Sequence, residues 1–115
     1  MDTRTEEEFA TSHLPGAINW PDYKSGELPI AAGQHVGADK PVVFYCSIGY
    51  RSGEATVRAA KLLDPNAKLF NLRGGIFQWA NEGGPLEGGD RVHGYDEEWG
   101  QLLKPERRAD SKKPL

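Results

Sequence analysis

Cysteine is almost absent from this chain: Cys46 is the only one in 115 residues. That excludes an internal disulfide, a thiolate zinc cage and a resolving thiol within the chain, so any redox cycle would need an outside thiol. Long apolar runs are missing as well. No stretch reaches the roughly 18 consecutive apolar residues of a spanning helix, so no membrane partner is expected. Nor is there a basic surplus, because 14 Lys and Arg stand against 17 Asp and Glu for a formal net charge of −3. Without a basic stripe, nucleic acid is not expected as a partner. Internal repeats, phosphate-binding glycine motifs and metal-ligand spacings are lacking too, so no metal and no cofactor are expected.

What is present fits one small α/β domain. The length allows a single domain with a modest core. Hydrophobic residues make up 37% of the chain, and the mean hydropathy is −0.64. Much of that polarity lies near the C-terminus, where the composition changes after Leu86. Residues 1–86 are therefore expected to form the domain. Residues 87–115 read as a linker at Gly88-Gly89-Asp90, an amphipathic helix from Tyr95 to Leu103, and a charged tail from Lys104 expected to be disordered. Trp99, Leu102 and Leu103 share one side of that helix. Trp99 and Leu103 would dock either on the domain or on a partner.

Periodicity and turn residues place the other elements. A short helix is expected over Glu6 to Ala10, anchored in the core by Phe9. Pro15-Gly16 is a turn leading into a short strand from Ala17 to Asn19. Trp20 to Lys40 keeps no period and reads as an irregular connection with one helical turn, in which His35 is solvated. Val42 to Tyr45 is a continuous apolar strand, as expected for a parallel sheet covered on both faces. A helix follows from Ser52 to Leu63, with Ala55, Ala59, Leu62 and Leu63 inward and Val57 and Ala60 widening the stripe. Lys68 to Leu72 is a second strand, Arg73-Gly74-Gly75 its turn, and Ile76 to Asn81 a further helix whose Trp79 is expected in the core. Strands alternating with helices imply layers around a mostly parallel sheet.

The chemistry converges on Cys46-Ser47-Ile48-Gly49-Tyr50-Arg51-Ser52-Gly53. The cysteine ends a strand, and its loop leads into a helix. Sites in such folds lie at the carboxyl ends of strands. Unpaired N–H groups and the positive end of a helix favour a thiolate. A free thiol titrates near about 8.5, and thiols in such settings reach about 3.5–7.5. A buried, inert cysteine is the plain alternative. Cys46 and Arg51 enclose four residues, a short loop. A phosphate ester needs a wider cradle, as in cysteine phosphatases, whereas a short loop suits a cysteine carrying one extra sulfur.

This loop resembles the active-site loop of the rhodanese-like sulfurtransferases, often C-x-x-G-x-R followed by Ser or Thr. Two more stretches are similar to motifs of that family, in the same order. The first is Asp2-Thr3-Arg4 through Glu8-Phe9, then His13-Leu14-Pro15-Gly16-Ala17-Ile18-Asn19. The second is Leu72-Arg73-Gly74-Gly75-Ile76-Phe77-Gln78-Trp79. The resemblance covers residues 2–83 and implies a three-layer fold, with a mostly parallel central sheet flanked by helices. The family's usual first strand and helix have no counterpart before Asp2.

The resemblance also implies roles. Cys46 would be the nucleophile, taking sulfur from a small anionic donor such as thiosulfate to form a persulfide. Cyanide, a thiol or an acceptor protein would then remove it. The amides of Ser47, Ile48, Gly49, Tyr50, Arg51 and Ser52 would stabilise the persulfide anion. Arg51 would draw in the donor or, alternatively, pair structurally with a carboxylate. Ile48 and Tyr50 would shape access, and an apolar Ile48 in place of a cation suggests a donor other than thiosulfate. Asp2 and Arg4 would brace the loop, or else form a solvated terminal pair. His13 would fix the path of the loop rather than act as a base. Gly74 and Gly75 would let the backbone approach it. The alternatives are a binding module without catalysis and a cysteine phosphatase or arsenate reductase. A cytoplasmic location is expected, and the oligomeric state is left open.

Overall fold

The computed structural model describes residues 1–25, 27, 41–63 and 67–109. His35 therefore lies outside the described residues.

The parallel sheet is built on β1 (Val42–Phe44) and β2 (Leu69–Asn71), in register Val42 to Leu69 and Phe44 to Asn71. Parallel bridges extend it, from Tyr45 to Asp2 and from Asp2 to Asn19. The Asp2 amide donates to Ile18 O at 2.8 Å, and the Trp20 amide donates to Asp2 O at 2.7 Å. The N-terminal residues thus lie between β1 and the stretch ending at Asn19, where the strand expected over Ala17 to Asn19 is reduced to one bridge.

Side chains alternate across a strand, and here the alternation divides the core. Phe44 packs on one face with Trp20, Tyr23, Ala55 and Ala59. Tyr45 packs on the other with Ile76, Phe77, Ala80, Val92 and Leu103. The first face is covered by α2 (Tyr50–Ala60) and a 3-10 turn (Tyr23–Ser25), the second by α3 (Gly75–Asn81) and the C-terminal segment. The result is the expected three-layer α/β arrangement with a parallel sheet between helices.

Local chemistry sets the helix ends. Thr5 and Glu8 form a reciprocal capping box at α1 (Glu6–Thr11). Gly49 starts α2 with φ 116°, where a side chain is disfavoured. α2 begins two residues earlier than expected, which brings Arg51 into its first turn, and stops at Ala60. Lys61 N–H turns back to Arg58 O, tightening the last turn. Leu62 follows that stop and is half-exposed. Val57 is also exposed, because 100° per residue puts it about 200° from Ala55 on the helix. It could not have widened the buried stripe.

Two aromatic expectations are corrected. Phe9 is only half-buried and stacks on the His13 ring, with centroids 3.8 Å apart. The buried residue of α1 is Glu8, since the helix faces the loop and an ion partner rather than the apolar core. Trp79 is half-buried rather than central. Its Nε1 donates to Pro85 O at 2.8 Å, and a Cβ on Gly84 would fall 2.4 Å from its ring. It closes the turn after α3.

The C-terminal segment departs most from expectation. Glu87 pairs antiparallel with His13, and β3 (Val92–His93) pairs parallel with β4 (Arg108–Ala109). Val92 and Leu103 sit in the same cluster as Tyr45 and Ile76, so residues 87–109 pack on the domain, and the stretch read as a linker is held against α1. The expected helix from Tyr95 to Leu103 contracts to α4 (Glu97–Gly100), capped by Asp96. Leu103 docks, while Trp99 and Leu102 stay exposed. Of the tail expected to be disordered, residues 104–109 form a 3-10 turn (Pro105–Arg107) and β4. Residues 110–115 lie outside the described part.

Candidate active site

Cys46 lies just past β1, separated from it by Tyr45, and is only 1% exposed. Its Sγ accepts the Gly49 N–H at 3.0 Å and has Ser52 Oγ at 3.5 Å. Burial pushes the thiol up. The Ser52 hydroxyl and N–H, the Gly49 N–H and the Arg51 charge more than offset this, leaving it below its ordinary value.

The loop is held from three sides. On the first, α3 starts against it. Ile76 N–H donates to Cys46 O at 2.9 Å, and Phe77 N–H donates to Ser47 O at 3.1 Å. These first-turn amides have no partner within their own helix, so the loop carbonyls satisfy them. Only glycine fits between: Gly75 has φ 59°, and a Cβ there would lie 2.4 Å from Ser47 O. Gly74, the N-cap of α3, has φ 78°. The structure thus brings Gly75 into the close approach expected of it.

On the second side stands α1. Arg51 Nη1 donates to Glu8 Oε1 at 2.8 Å, and Arg51 Nη2 donates to Glu8 Oε2 at 3.0 Å and to Ser47 Oγ at 2.9 Å. Burial pushes the Glu8 carboxyl up, but Arg51 and Thr5 hold it at about 2. Above the guanidinium lies the Tyr95 ring, 4.8 Å from its centroid. The Arg51 charge is therefore engaged at its edge by Glu8 and on its face by Tyr95. Of its two expected roles, this geometry displays the structural pairing.

On the third side, the Asn71 side chain at the end of β2 bridges Ser52 Oγ and Gly49 O. Ile48 turns inward and packs beside the Tyr45 cluster, whereas Tyr50 projects into solvent. Only Tyr50 of that pair stands where access could be shaped.

Asp2 and Arg4 are wholly buried rather than a solvated terminal pair, and meet at 2.7 Å. Tyr45 Oη donates to Asp2 Oδ2 at 2.8 Å, which ties the pair to the residue before Cys46. Burial pulls the Arg4 guanidinium down, and Asp2 raises it beyond its ordinary value. His13 is placed elsewhere than expected. Its Nδ1 bonds Phe9 O at 2.9 Å, and its ring lies on Phe9, which anchors the exit from α1.

Three site residues escaped the sequence reading as site residues: Glu8, Asn71 and Tyr95. Glu8 had a signal, because Thr5-x-x-Glu8 spells a capping box, but its carboxylate serves Arg51 as well. Asn71 and Tyr95 had no local signal. No helix among the described residues is long and apolar enough to cross a membrane, and no cluster of three His, Cys, Asp or Glu side chains among them could hold a metal.

Comparison with known proteins bears on this arrangement. Residues 1–82 match the family model of the rhodanese-like domain. A sulfurtransferase of Allochromatium vinosum is 35% identical over 86 residues, spanning 75% of this chain and 75% of that protein. A thiosulfate:glutathione sulfurtransferase of Saccharomyces cerevisiae is 29% identical over 93 residues, spanning 73% of this chain and 66% of that protein. The crystal structure of the BH2092 protein of Bacillus halodurans aligns with TM-score 0.60 and 27% identity, covering 76% of this chain and 61% of that one.

Proposed function

The chain belongs to the rhodanese-like domain family, and from that premise we propose that it is a sulfurtransferase carrying sulfur as a persulfide on Cys46. The observation that carries this reading is the Gly49 N–H directed at Cys46 Sγ, at 3.0 Å, in a loop that keeps the thiol more acidic than usual.

The thiolate attacks the outer sulfur of a donor such as thiosulfate. A bond forms between Sγ and that sulfur as the donor's S–S bond breaks, and sulfite leaves with the electron pair. Cyanide or a thiolate acceptor then attacks the terminal sulfur. The Sγ–S bond breaks, and Cys46 regains its thiolate. Dividing the transfer this way predicts ping-pong kinetics. The relative from yeast, named for glutathione, supports a thiol acceptor. The loop amides stabilise the persulfide anion. Arg51 works mainly by tying the loop to α1, because Glu8 neutralises much of its pull on an anionic donor. The same engagement argues against phosphate-ester chemistry, which needs a guanidinium free to grip the phosphate. A reducing compartment such as the cytoplasm suits a lone cysteine that has to remain a free thiol.

Intact mass after incubation with thiosulfate tests the proposal. The wild-type protein should gain one sulfur atom, cyanide should remove it, and Cys46→Ser should gain none. No gain with thiosulfate or with a low-molecular-weight persulfide would overturn it in favour of a binding module.

A further inference from the structure

Ser52 is fully buried, and its hydroxyl has one proton to give. Three acceptors surround it: Asn71 Oδ1 at 2.5 Å, Gly49 O at 3.2 Å and Cys46 Sγ at 3.5 Å. The other end of Asn71 decides between them. Its Nδ2 lies 3.3 Å from Gly49 O, a carbonyl that can only accept. The amino group must face that carbonyl, and Oδ1 must face Ser52. Oδ1 carries no proton either. The short contact is a hydrogen bond only when Ser52 donates to Asn71, which turns the hydroxyl away from the sulfur.

We propose that Asn71 is a positioning residue for Cys46: by holding the Ser52 hydroxyl it governs whether Ser52 donates to the sulfur, and so how readily the thiol becomes a thiolate. On ionisation the hydroxyl rotates from Asn71 to Sγ, exchanging a bond to a neutral amide for one to an anion. Once Sγ carries the transferred sulfur it is no longer the charged atom, and the hydroxyl returns to Asn71. Its proton stays on Ser52 throughout, and no covalent bond of Ser52 or Asn71 changes. The inference rests on Cys46 being the nucleophile of the function proposed above.

The test is the pH dependence of iodoacetamide alkylation, which reports Cys46 alone because the chain has one cysteine. Four proteins are compared: wild type, Asn71→Ala, Ser52→Ala and the double variant. Asn71→Ala removes the nearer competing acceptor and leaves only the longer contact to Gly49 O. The apparent thiol pKa should therefore fall by about half a unit to one unit, roughly three- to tenfold more thiolate well below that pKa, the size of the neutral hydrogen bond that ionisation no longer breaks. In the Ser52→Ala background the same change should do nothing, since no hydroxyl remains to turn. Asn71→Asp keeps an acceptor against Ser52 and should not lower the pKa. Equal shifts from Asn71→Ala with and without Ser52 would overturn the proposal, showing that Asn71 only steadies the loop. So would an unchanged or raised pKa in Asn71→Ala. Alkylation requires no sulfur transfer, so the two readings fail separately. A protein with the coupled shifts that takes up no sulfur would sink only the transferase.

Discussion

Gly75 shows how one residue couples two elements. Its φ of 59° and the 2.4 Å approach of a Cβ to Ser47 O combine conformational and steric cost. Gly75→Ala should lower stability by about 2–4 kcal/mol, read as a lower urea midpoint. An unchanged midpoint would mean that α3 can move off the loop freely. Glu8 is the other such residue. Glu8→Gln leaves the partly buried Arg51 charge without its counter-ion, and should cost about 2–3 kcal/mol in the same experiment. It should also speed alkylation of Cys46 near pH 6, because the Arg51 charge then acts on the sulfur unopposed. Slower alkylation would assign Arg51 to holding the loop alone. The sequence marks Gly74-Gly75 and Cys46 plainly, because their chemistry is local. Glu8 looks like a surface residue until folding buries it against Arg51, and Asn71, which stays exposed, is marked only by the Ser52 hydroxyl that folding sets against it.

Elements were legible to the extent that their partners lay nearby in the chain. β1, α2, β2 and α3 follow from apolar runs, helical spacing and glycine turns, with ends displaced by only a few residues. The C-terminal segment is legible only in part, in its short helix and the docking of Leu103, because its stability is not local. Four residues of α4 could not hold a helix alone, and β3 and β4 have two residues each. They persist because Val92 and Leu103 enter the Tyr45 cluster. Leu103→Ala should therefore cost about 2–4 kcal/mol, the range for a fully buried leucine, measured by chemical denaturation. A chain ending at residue 86 should unfold more easily still, with Ile76 and Phe77 partly uncovered. Equal stability of the shortened chain would restore the boundary that composition alone suggests.

For the whole molecule, Glu8 links the site to global stability. Its carboxyl ionises near 4.5 when free and about 2 when folded. Above pH 4.5 it is charged in both states, and its contribution is complete. Between those values the unfolded chain binds a proton that the folded chain does not, so stability falls as pH falls. The loss should total about 3 kcal/mol by pH 2, and Glu8→Gln should flatten that part of the curve. An identical acid profile in the variant would show that other carboxylates govern it. Sequence by itself determined the α/β class, the strand–cysteine–helix loop and the family resemblance, because those rest on periodicity, turn chemistry and short motifs. Tertiary structure alone decided that Arg51 answers to Glu8, that Asn71 reaches Ser52 and that the C-terminal segment completes the core. Each joins residues far apart in the chain, and only packing sets the few ångströms on which an ion pair or a hydrogen bond depends.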